Sequence, residues 1–292
     1  MPRPARSTRS RHRAAAPEDA APKRFQASPL FVGSLEKGLR VLHAFDTERR
    51  PLRLTEVAAA TGLDKSGAQR FTATLQALGY LRKDQFKRYQ VTPKVLQLGF
   101  AYLQSETAID NAVPFLQEAH VACEESVNFT QLDGLDVVWI VRLPSLHVVS
   151  VDMSVGARLP AFCTAPGRAM LAHMPPEQAL EVLRRSKRQK LTPFTKTEIE
   201  TILEELAAIR RDGYAIANQE TFLGDISTAA AVFDGAGQVV GAVNIAVPTS
   251  RWSLEDVRRR LSPLISKTAA SISSANGARS SRRSTSRPLS RV

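Results

Sequence analysis

The sequence predicts an α+β protein with two folded domains of different character. Its 292 residues are enough for about two domains, and 43% of them are hydrophobic, so each domain can bury a core. Apolar residues recur with helical periodicity in the first third of the chain, whereas β-branched runs alternate with helical segments from about residue 126. We therefore expect a small, mainly helical domain over 31–92, a connecting helix over 93–110, and a larger domain over 111–274.

The charge is distributed unevenly along the chain. Residues 1–30 and 275–292 are rich in Ser, Pro, Ala and Arg and poor in apolar residues, which predicts disordered basic tails. Residues 30–92 carry a net charge of +5 and residues 93–274 one of −3, within a total of +12. A basic small domain beside a slightly acidic large one indicates a polyanionic partner for the small domain only.

Composition excludes several classes of protein. No apolar run approaches the roughly 18 residues of a membrane-spanning helix, and no hydrophobic segment follows the basic N-terminus as a secretory signal would require. Two cysteines, Cys123 and Cys163, give no disulfide framework, so we expect a cytoplasmic protein with no membrane partner. His120 and Cys123 lie three residues apart on a predicted helix, but two ligands do not make a metal site. We expect no metal and no cofactor.

The small domain begins with helical signals. Ser34 starts a helix in which Leu35, Leu39, Leu42 and Phe45 repeat at helical spacing. The segment "LTEVAAATGLDKSGAQRFTATLQALGYL", residues 54–81, then predicts two helices joined by a tight turn. We expect Thr55 to cap the first of these and Gly62 to end it, and Asp64 to cap the second and Gly79 to end it. The inward stripe of the second helix is Ala68, Phe71, Leu75 and Leu78.

A basic hairpin follows these helices. The segment "YLRKDQFKRYQV", residues 80–91, predicts two strands that turn near Asp84 and Gln85. Two helices across a Gly turn followed by a basic hairpin indicate a winged helix-turn-helix, whose second helix enters the major groove of double-stranded DNA. The alternative is a small helical domain with a solvated polar face. The predicted DNA-binding residues, which lie on the outward face or the wing, are Thr55, Lys65, Ser66, Gln69, Arg70, Arg82, Lys83, Lys87 and Arg88.

Thr92 and Pro93 begin the connecting helix, "PKVLQLGFAYLQS". Its apolar residues Leu96, Leu98, Phe100 and Leu103 are candidates for a dimer contact, with packing inside one chain as the alternative.

The larger domain mixes strands and helices. Strand-like runs occur at 127–132, 136–143 and 147–154, helical patterns at 164–174, 176–186 and 197–212, and a hairpin around an Asp-Gly-Ala-Gly turn at 227–247. Ser253 caps a final helix. Hairpins with helices inserted between them predict an α+β domain with an antiparallel sheet. The acidic pairs Glu124–Glu125 and Glu204–Glu205 are interpreted as solvated helix faces.

These motifs resemble those of a known family. "SLEKGLRVLHAF", "LTEVAAATGLDKSGAQRFTATLQALGYL" and "RYQVTPKVLQLG" are similar to the N-terminal domain of the IclR family of bacterial transcriptional regulators. "GARLPAFCTAPGRAMLA", "RRDGYAIANQE" and "DISTAAAVFDGAGQVVGAVNIAVP" resemble that family's effector domain, and the similarity is colinear over about residues 31–273. Within the family the chain looks similar to the branch that regulates aromatic-acid and β-ketoadipate catabolism.

The resemblance implies a cytoplasmic DNA-binding homodimer or homotetramer that represses or activates a catabolic operon. It also implies a C-terminal domain of GAF/profilin-like fold that senses a small organic acid, either aromatic or dicarboxylic. Carried over by position, the effector-binding residues are Val148, Val151, Leu159, Ala165, Pro166, Ser227, Asn244 and Ala246. Asn244 and Ala246 stand where small-acid sensors of the family carry serines, and Ala217 replaces an aspartate, which favours a larger or aromatic acid over a two- or three-carbon one.

Two classes of function are weighed. The first is a ligand-responsive transcription factor, which the basic small domain and the apolar larger domain both support. The alternative is a ligand-processing enzyme domain tethered to DNA. An enzyme needs a nucleophile and a base brought together, and the sequence shows no GxSxG, Walker, HExxH or Rossmann motif, so we expect no catalytic residues.

Overall fold

The computed structural model describes residues 26–48, 50–147 and 153–284. The described residues up to Tyr102 form one compact unit, and those from Leu103 onward form a second. The boundary between the units lies inside the segment 93–110 that was predicted as the connecting helix. None of the helices in these described ranges is long and apolar enough to cross a lipid bilayer.

The first unit consists of short helices and a small antiparallel sheet. Its elements are α1 (Gly33–Glu48), β1 (Leu52–Arg53), α2 (Leu54–Thr61), α3 (Lys65–Ala77), β2 (Leu81–Lys83), β3 (Arg88–Val91), a 3₁₀ turn (Pro93–Val95) and the start of α4 (Leu96–Ser105). The sheet has the order β1-β3-β2, with Leu52 opposite Tyr89 and Leu81 opposite Val91. Its core contains Val41, Phe45, Leu52, Val57, Leu75, Leu81 and Tyr89.

The predicted helix ends are confirmed at the turn between α2 and α3. Gly62 ends α2 with a φ of 66°, a left-handed conformation that glycine adopts without strain. The Asp64 carboxylate caps α3 by accepting a hydrogen bond from the Gly67 N–H at 2.8 Å. The prediction that Thr55 caps α2 was wrong, because the helix already begins at Leu54 and Arg53 holds the cap position. The Arg53 N–H is satisfied instead by the Glu56 carboxylate at 2.7 Å.

The predicted inward stripe of α3 is correct except at its end. Ala68 and Leu75 are buried and Phe71 is partly buried, but Leu78 is 53% exposed. The helix stops at Ala77, so Leu78 leaves the helical path before it could join the stripe. Thr72 of the same helix is fully buried. Its hydroxyl donates to the Ala68 carbonyl at 2.8 Å, so this buried polar group has a hydrogen-bond partner.

Within the described residues, the second unit is built on a six-stranded sheet of order β6-β5-β4-β9-β8-β7. Every strand pair in it is antiparallel, as the sequence predicted. Its strands are β4 (Ser126–Asp133), β5 (Asp136–Leu143), β6 (Arg158–Pro160), β7 (Ala215–Asn218), β8 (Asp225–Phe233) and β9 (Val239–Pro248). Its helices are α5 (Thr107–Cys123), α6 (Ala165–His173), α7 (Pro176–Arg185), α8 (Ile199–Asp212), α9 (Leu254–Asp256) and α10 (Ser262–Ser284), with a 3₁₀ turn at Ala161–Cys163 and a π-helical turn at Val257–Leu261. Most of the strand predicted at 147–154 lies outside the described residues.

Alternate residues of the sheet enter two different cores. Ala229 and Ala242 contribute to a core with α6, α7 and α8, whereas their neighbours Ala230 and Val243 contribute to a core with α5 and α10. This separation follows from the period of two along a strand, which sends successive side chains to opposite faces. Both faces of the sheet are therefore covered by helices.

The last helix is longer than the sequence indicated. The C-terminal tail was predicted to begin at residue 275, but α10 continues to Ser284. Asn276 explains part of this extension, because its amide donates to the Phe233 carbonyl at 3.1 Å and accepts from the Asn111 amide at 2.7 Å. The remaining residues of both predicted tails, 1–25 and 285–292, lie outside the described residues.

Candidate functional site

The first candidate surface is the outward face of α3. Asp64 fixes the start of this helix, and the side chains of Lys65, Ser66, Gln69 and Arg70 are all exposed on it. Thr55, in the first turn of α2, is exposed as well. The face thus offers two cations and several groups able to hydrogen bond with base edges or phosphates.

The hairpin of β2 and β3 supplies a second basic surface, which we call the wing. One Asp84 oxygen accepts hydrogen bonds from the N–H groups of Phe86 and Arg88, each at 2.9 Å, and the other pairs with the Arg88 side chain at 2.8 Å. The backbone hydrogen bond from Arg88 is the main cause that holds the pKa of Asp84 below its usual value. Lys87 has a φ of 58°, so Asp84 stabilises a turn that contains a left-handed residue.

The predicted cations of the wing differ in their availability. Arg88 is partly neutralised by Asp84, and Arg82 donates to the Gln90 side chain at 3.0 Å. Lys83 lies 5.1 Å above the Tyr89 ring, and Lys87 is exposed at the turn. The sequence interpretation missed Phe86, which is 59% exposed at the same turn, 5.1 Å from the Arg88 guanidinium. An exposed aromatic next to alternating basic residues was the signal that could have identified it.

The second candidate site is a cavity in the second unit. It contains about 490 Å³ of empty space, a volume that includes the open mouth of the cavity. Six of the predicted effector residues line it together: Leu159, Ala165, Pro166, Ser227, Asn244 and Ala246. Val148 and Val151, the other two, lie outside the described residues. Trp139, Met153, Ala217 and Phe222 add apolar wall.

The start of α6 forms one side of the cavity but has few free donors. The Gly167 N–H donates to the Thr164 hydroxyl at 3.2 Å, and the Arg168 N–H donates to the Thr164 backbone carbonyl at 3.0 Å. Pro166 has no N–H to donate. These contacts leave the N–H of Ala165, a residue that lines the cavity, as the remaining candidate donor of this first turn. A Cβ on Gly167 would lie 2.2 Å from the Ala161 carbonyl, so only glycine permits the close approach of α6 to the preceding 3₁₀ turn.

A buried ion-pair network supports this side of the cavity. Arg168 is fully buried on α6 and forms two hydrogen bonds of 2.7 Å with the Glu220 carboxylate, which lines the cavity. Arg168 also donates to Glu205 at 2.7 Å and to the Phe162 carbonyl at 2.8 Å. The network ties α6, α8 and the segment before β8 together, since a buried guanidinium needs each of these acceptors.

Sequence reasoning missed several polar residues of the cavity. Arg142 on β5 and Asn128 on β4 are neighbours across the sheet of Asn244 on β9, which was predicted, and Asp225 begins β8. Asn128, Asn244 and Asp225 each have an oxygen with no hydrogen-bond partner among the described residues. Burial raises the pKa of Asp225 to about 7. Buried polar residues on otherwise apolar strands were the signal that could have found them.

The acidic pairs predicted to be solvated are only partly so. Glu125 is 1% exposed and accepts from the Arg251 guanidinium at 2.8 Å, the Trp252 indole at 2.8 Å and the Ser145 hydroxyl at 3.0 Å. Glu205 is bound to Arg168 as described above. Glu125 and Glu205 are not fully solvated because each pairs with a cation that is distant in sequence. For Glu125 that cation is 126 residues further along the chain.

His120 and Cys123, the two residues considered as metal ligands, have surroundings unlike those of a metal site. The His120 ring is hydrogen bonded to the Pro144 carbonyl at 2.8 Å, and Cys123 is partly buried. Burial raises the pKa of the Cys163 thiol to about 12. Across the described ranges, no group of three or more His, Cys, Asp or Glu side chains is arranged to hold a metal ion.

A winged helix-turn-helix followed by a sheet domain with a partly open cavity defines a ligand-sensing DNA-binding regulator. Comparisons with known proteins agree. Residues 34–85 match the IclR helix-turn-helix domain, and residues 100–274 match the C-terminal domain of the bacterial transcriptional regulator IclR. The chain belongs to the IclR family of bacterial transcriptional regulators.

Two named relatives are similar to this chain over most of its length. The chain is 34% identical over 242 residues to the Pca regulon regulatory protein of Pseudomonas putida, covering 82% of this chain and 83% of that protein. It is 32% identical over 244 residues to the p-hydroxybenzoate hydroxylase transcriptional activator of Acinetobacter baylyi, covering 82% and 90%.

Solved structures have the same fold. A transcriptional regulator from Rhodococcus sp. RHA1 superposes with a TM-score of 0.75 at 35% identity, covering 85% of this chain and 99% of that one. An IclR homologue of Microbacterium hydrocarbonoxydans, solved with 4-hydroxybenzoate, gives 0.72 at 22% identity, covering 84% and 99%, and shares the fold. The predicted fold class and family are confirmed, and the protein is a ligand-responsive transcriptional regulator rather than an enzyme.

Proposed function

We propose that this protein controls a catabolic operon in response to an aromatic carboxylic acid bound in the cavity of its second unit. The observation that carries the proposal is the composition of that cavity, in which a guanidinium and a helix start are set in largely apolar walls. Arg142 and the Ala165 N–H suit a carboxylate, and Trp139, Leu159 and Phe222 suit a hydrophobic body. The names of the two relatives, one of which controls a p-hydroxybenzoate hydroxylase, support an aromatic acid.

The effector proposal is tested with 4-hydroxybenzoate and benzoate as probes. A ligand that binds the native state raises the melting temperature, so a thermal-shift titration of the full-length protein gives a first reading. Calorimetry on Asn244→Ala should then show weaker binding than wild type, because Asn244 is 1% exposed and lines the cavity.

Asn218→Ala is the matched control for this experiment. Asn218 lies on β7, also has an unpartnered buried oxygen, and is not among the residues that line the cavity. It should leave ligand affinity unchanged, and both variants should bind effector-free DNA as wild type does. Equal affinities in all three proteins would overturn the placement of the effector.

The DNA contacts are part of the same proposal. We assign base contacts to Gln69 and Arg70 on α3, and phosphate contacts to Lys65, Ser66 and Thr55 and to the wing residues Arg82, Lys83, Lys87 and Arg88. The support is their position on two helices and a hairpin arranged as a winged helix, where all of them except the partly buried Arg88 are exposed. The protein would act in the cytoplasm, where the bacterial chromosome lies.

We further propose that the chain binds DNA as a dimer or tetramer. The support is exposed apolar surface in the first unit. Leu35 and Leu39 on α1 are 62% and 46% exposed, and Leu96, Leu98 and Phe100 on α4 are 72%, 58% and 59% exposed. Apolar side chains repeated along two helices are typical of a contact between protein chains.

A further inference from the structure

We propose that Asp225 is a specificity-determining residue that accepts a hydrogen bond from a hydroxyl group of the effector, so that the cavity prefers hydroxylated aromatic acids to benzoate. The inference rests on the proposed function above, since it assumes that an aromatic acid occupies this cavity. It adds a second polar subsite, at the opposite end of the ligand from the carboxylate.

The first support is the state of the Asp225 side chain. The residue is 9% exposed, lines the cavity, and has one carboxylate oxygen without a hydrogen-bond partner among the described residues. Burying a carboxylate without a hydrogen-bond donor disfavours its charged form, and this desolvation raises the pKa of Asp225 to about 7. A ligand group that donates a hydrogen bond to this oxygen would recover much of that cost.

The second support is what Asp225 can and cannot offer. Asn128 and Asn244 also have unpartnered oxygens on the cavity, but an amide can rotate to present its NH₂ group instead. Asn128 can therefore adapt to donors and acceptors alike, whereas the Asn244 amide already donates to the Ser227 hydroxyl at 3.1 Å. An ionised carboxylate only accepts, so Asp225 repels a second carboxylate and selects for a hydroxyl or amine. Of these, the hydroxyl is neutral and suits the apolar walls around it.

The third support is the position of Asp225 relative to Arg142. Arg142 lies on β5, and β4 and β9 separate that strand from β8, so the two residues are on opposite sides of the cavity. Three strand spacings amount to about 14 Å across the sheet. Arg142 is in register with Asn244 through Asn128, whereas Asp225 pairs with Pro248 four residues further along β9, which adds an offset of about 13 Å along the strands. Both residues line the cavity. A ring that carries a carboxylate at one end and a hydroxyl at the other can therefore bridge the cation and the anion.

The backbone holds Asp225 in place. Its carbonyl accepts from the Gln219 N–H at 2.7 Å, and the Gln219 side chain in turn accepts from the Gly224 N–H at 3.0 Å. Asp225 is also paired with Pro248 on β9. These contacts fix the backbone position from which the Asp225 side chain reaches the cavity.

The test is calorimetry on the full-length protein with benzoate, 3-hydroxybenzoate, 4-hydroxybenzoate and 3,4-dihydroxybenzoate at pH 8, which lies above the pKa of about 7 of Asp225 and favours its anion. Wild type should bind at least one hydroxylated acid about tenfold or more tightly than benzoate. Asp225→Leu, which keeps the approximate shape and removes the acceptor, should reduce that ratio to about one while benzoate binding is kept or improved. Asn218→Leu, on the adjacent strand and outside the cavity, should keep the wild-type ratio.

The outcomes separate the two proposals. A correctly folded wild type that binds none of the four acids would overturn the proposed function. Equal binding of benzoate and the hydroxylated acids, or a preference that survives in Asp225→Leu, would overturn the role of Asp225 and leave the proposed function standing. If Asp225→Leu does not fold, Asp225→Asn serves instead. Its neutral amide is a weaker acceptor than a carboxylate, so the ratio should fall, and an unchanged ratio would refute the inference.

Discussion

At the scale of single residues, Arg70 and Lys87 should contribute to DNA binding in different ways. Arg70→Ala should weaken binding to an operator selected from a random DNA pool by about 1–3 kcal/mol and relax its sequence preference, because a guanidinium on the recognition helix can bond two acceptors of a guanine. A binding titration with a specificity profile measures both effects. Lys37→Ala, at an exposed position of α1, is the control. An unchanged profile would contradict the assignment of α3.

Lys87→Ala should instead weaken binding to all sequences alike and reduce the slope of log affinity against log salt by about one. Lys87 is exposed on the wing and suited to a phosphate. Its φ of 58° costs an alanine the same as a lysine, since both carry a Cβ, so the substitution removes the charge without adding backbone strain. Salt titrations of wild type and variant decide the matter, and parallel slopes would exclude a phosphate contact.

Asp225 also predicts how stability depends on pH. Its pKa is about 7 in the folded protein and about 3.9 in the unfolded chain, so between these values the folded state binds more protons. The free energy of unfolding of wild type, measured relative to Asp225→Asn, should therefore fall as pH rises from about 4 to about 7 and then level off. Three pKa units correspond to a change on the order of 4 kcal/mol.

Urea unfolding of both proteins across this pH range measures the difference. Arg142 and Glu220, the other charged residues among the described lining of the cavity, are present in both proteins, so their contribution to the pH dependence largely cancels. A difference that does not vary with pH would mean that Asp225 is already stabilised as an anion in the folded protein.

At the scale of elements, the Arg168 network should determine whether α6 stays in place. Arg168→Met should destabilise the protein by about 3–5 kcal/mol, because Glu220, which is 2% exposed, would keep only the Lys196 ammonium at 3.8 Å as a cation. Arg168→Met combined with Glu220→Leu should recover part of this loss, since no buried charge is then left unpaired. Denaturant unfolding measures both, and Arg40→Met, a partly exposed arginine of α1, is the control. A double variant no more stable than the single one would contradict this account.

The elements also show which features could be predicted from sequence. Asp64 and Gly62 act on residues within three positions of themselves, so local pattern was enough to place the turn between α2 and α3. The partners of Glu220 and Glu125 are 52 and 126 residues away, and only the folded sheet brings them together. The cavity shows the same division: six of its residues were placed by resemblance, but Arg142 and Asp225 were missed because their strands read as ordinary apolar runs.

At the scale of the whole molecule, the exposed apolar side chains of α4 bear on how the protein finds its operator. One winged helix contacts few base pairs, which gives too little discrimination against the many competing sites of a genome. Two copies joined through α1 and α4 would double the number of base contacts. They would also require a pseudo-palindromic operator whose half-sites are about one helical turn, or a multiple of it, apart.

Phe100→Glu should therefore shift the protein toward monomer. It should also weaken operator binding much more than a single substitution on α3, such as Arg70→Ala. Phe100 is 59% exposed, so a glutamate there leaves the fold of the chain intact and places a charge in the contact between chains. Gln97→Glu adds the same charge at an exposed neighbour outside the apolar row and should leave assembly nearly unchanged. Light scattering at the concentrations that saturate the operator measures the oligomeric state. A wild-type protein that is monomeric while fully bound to DNA would rule out assembly, and a dimer that persists in Phe100→Glu would place the contact elsewhere.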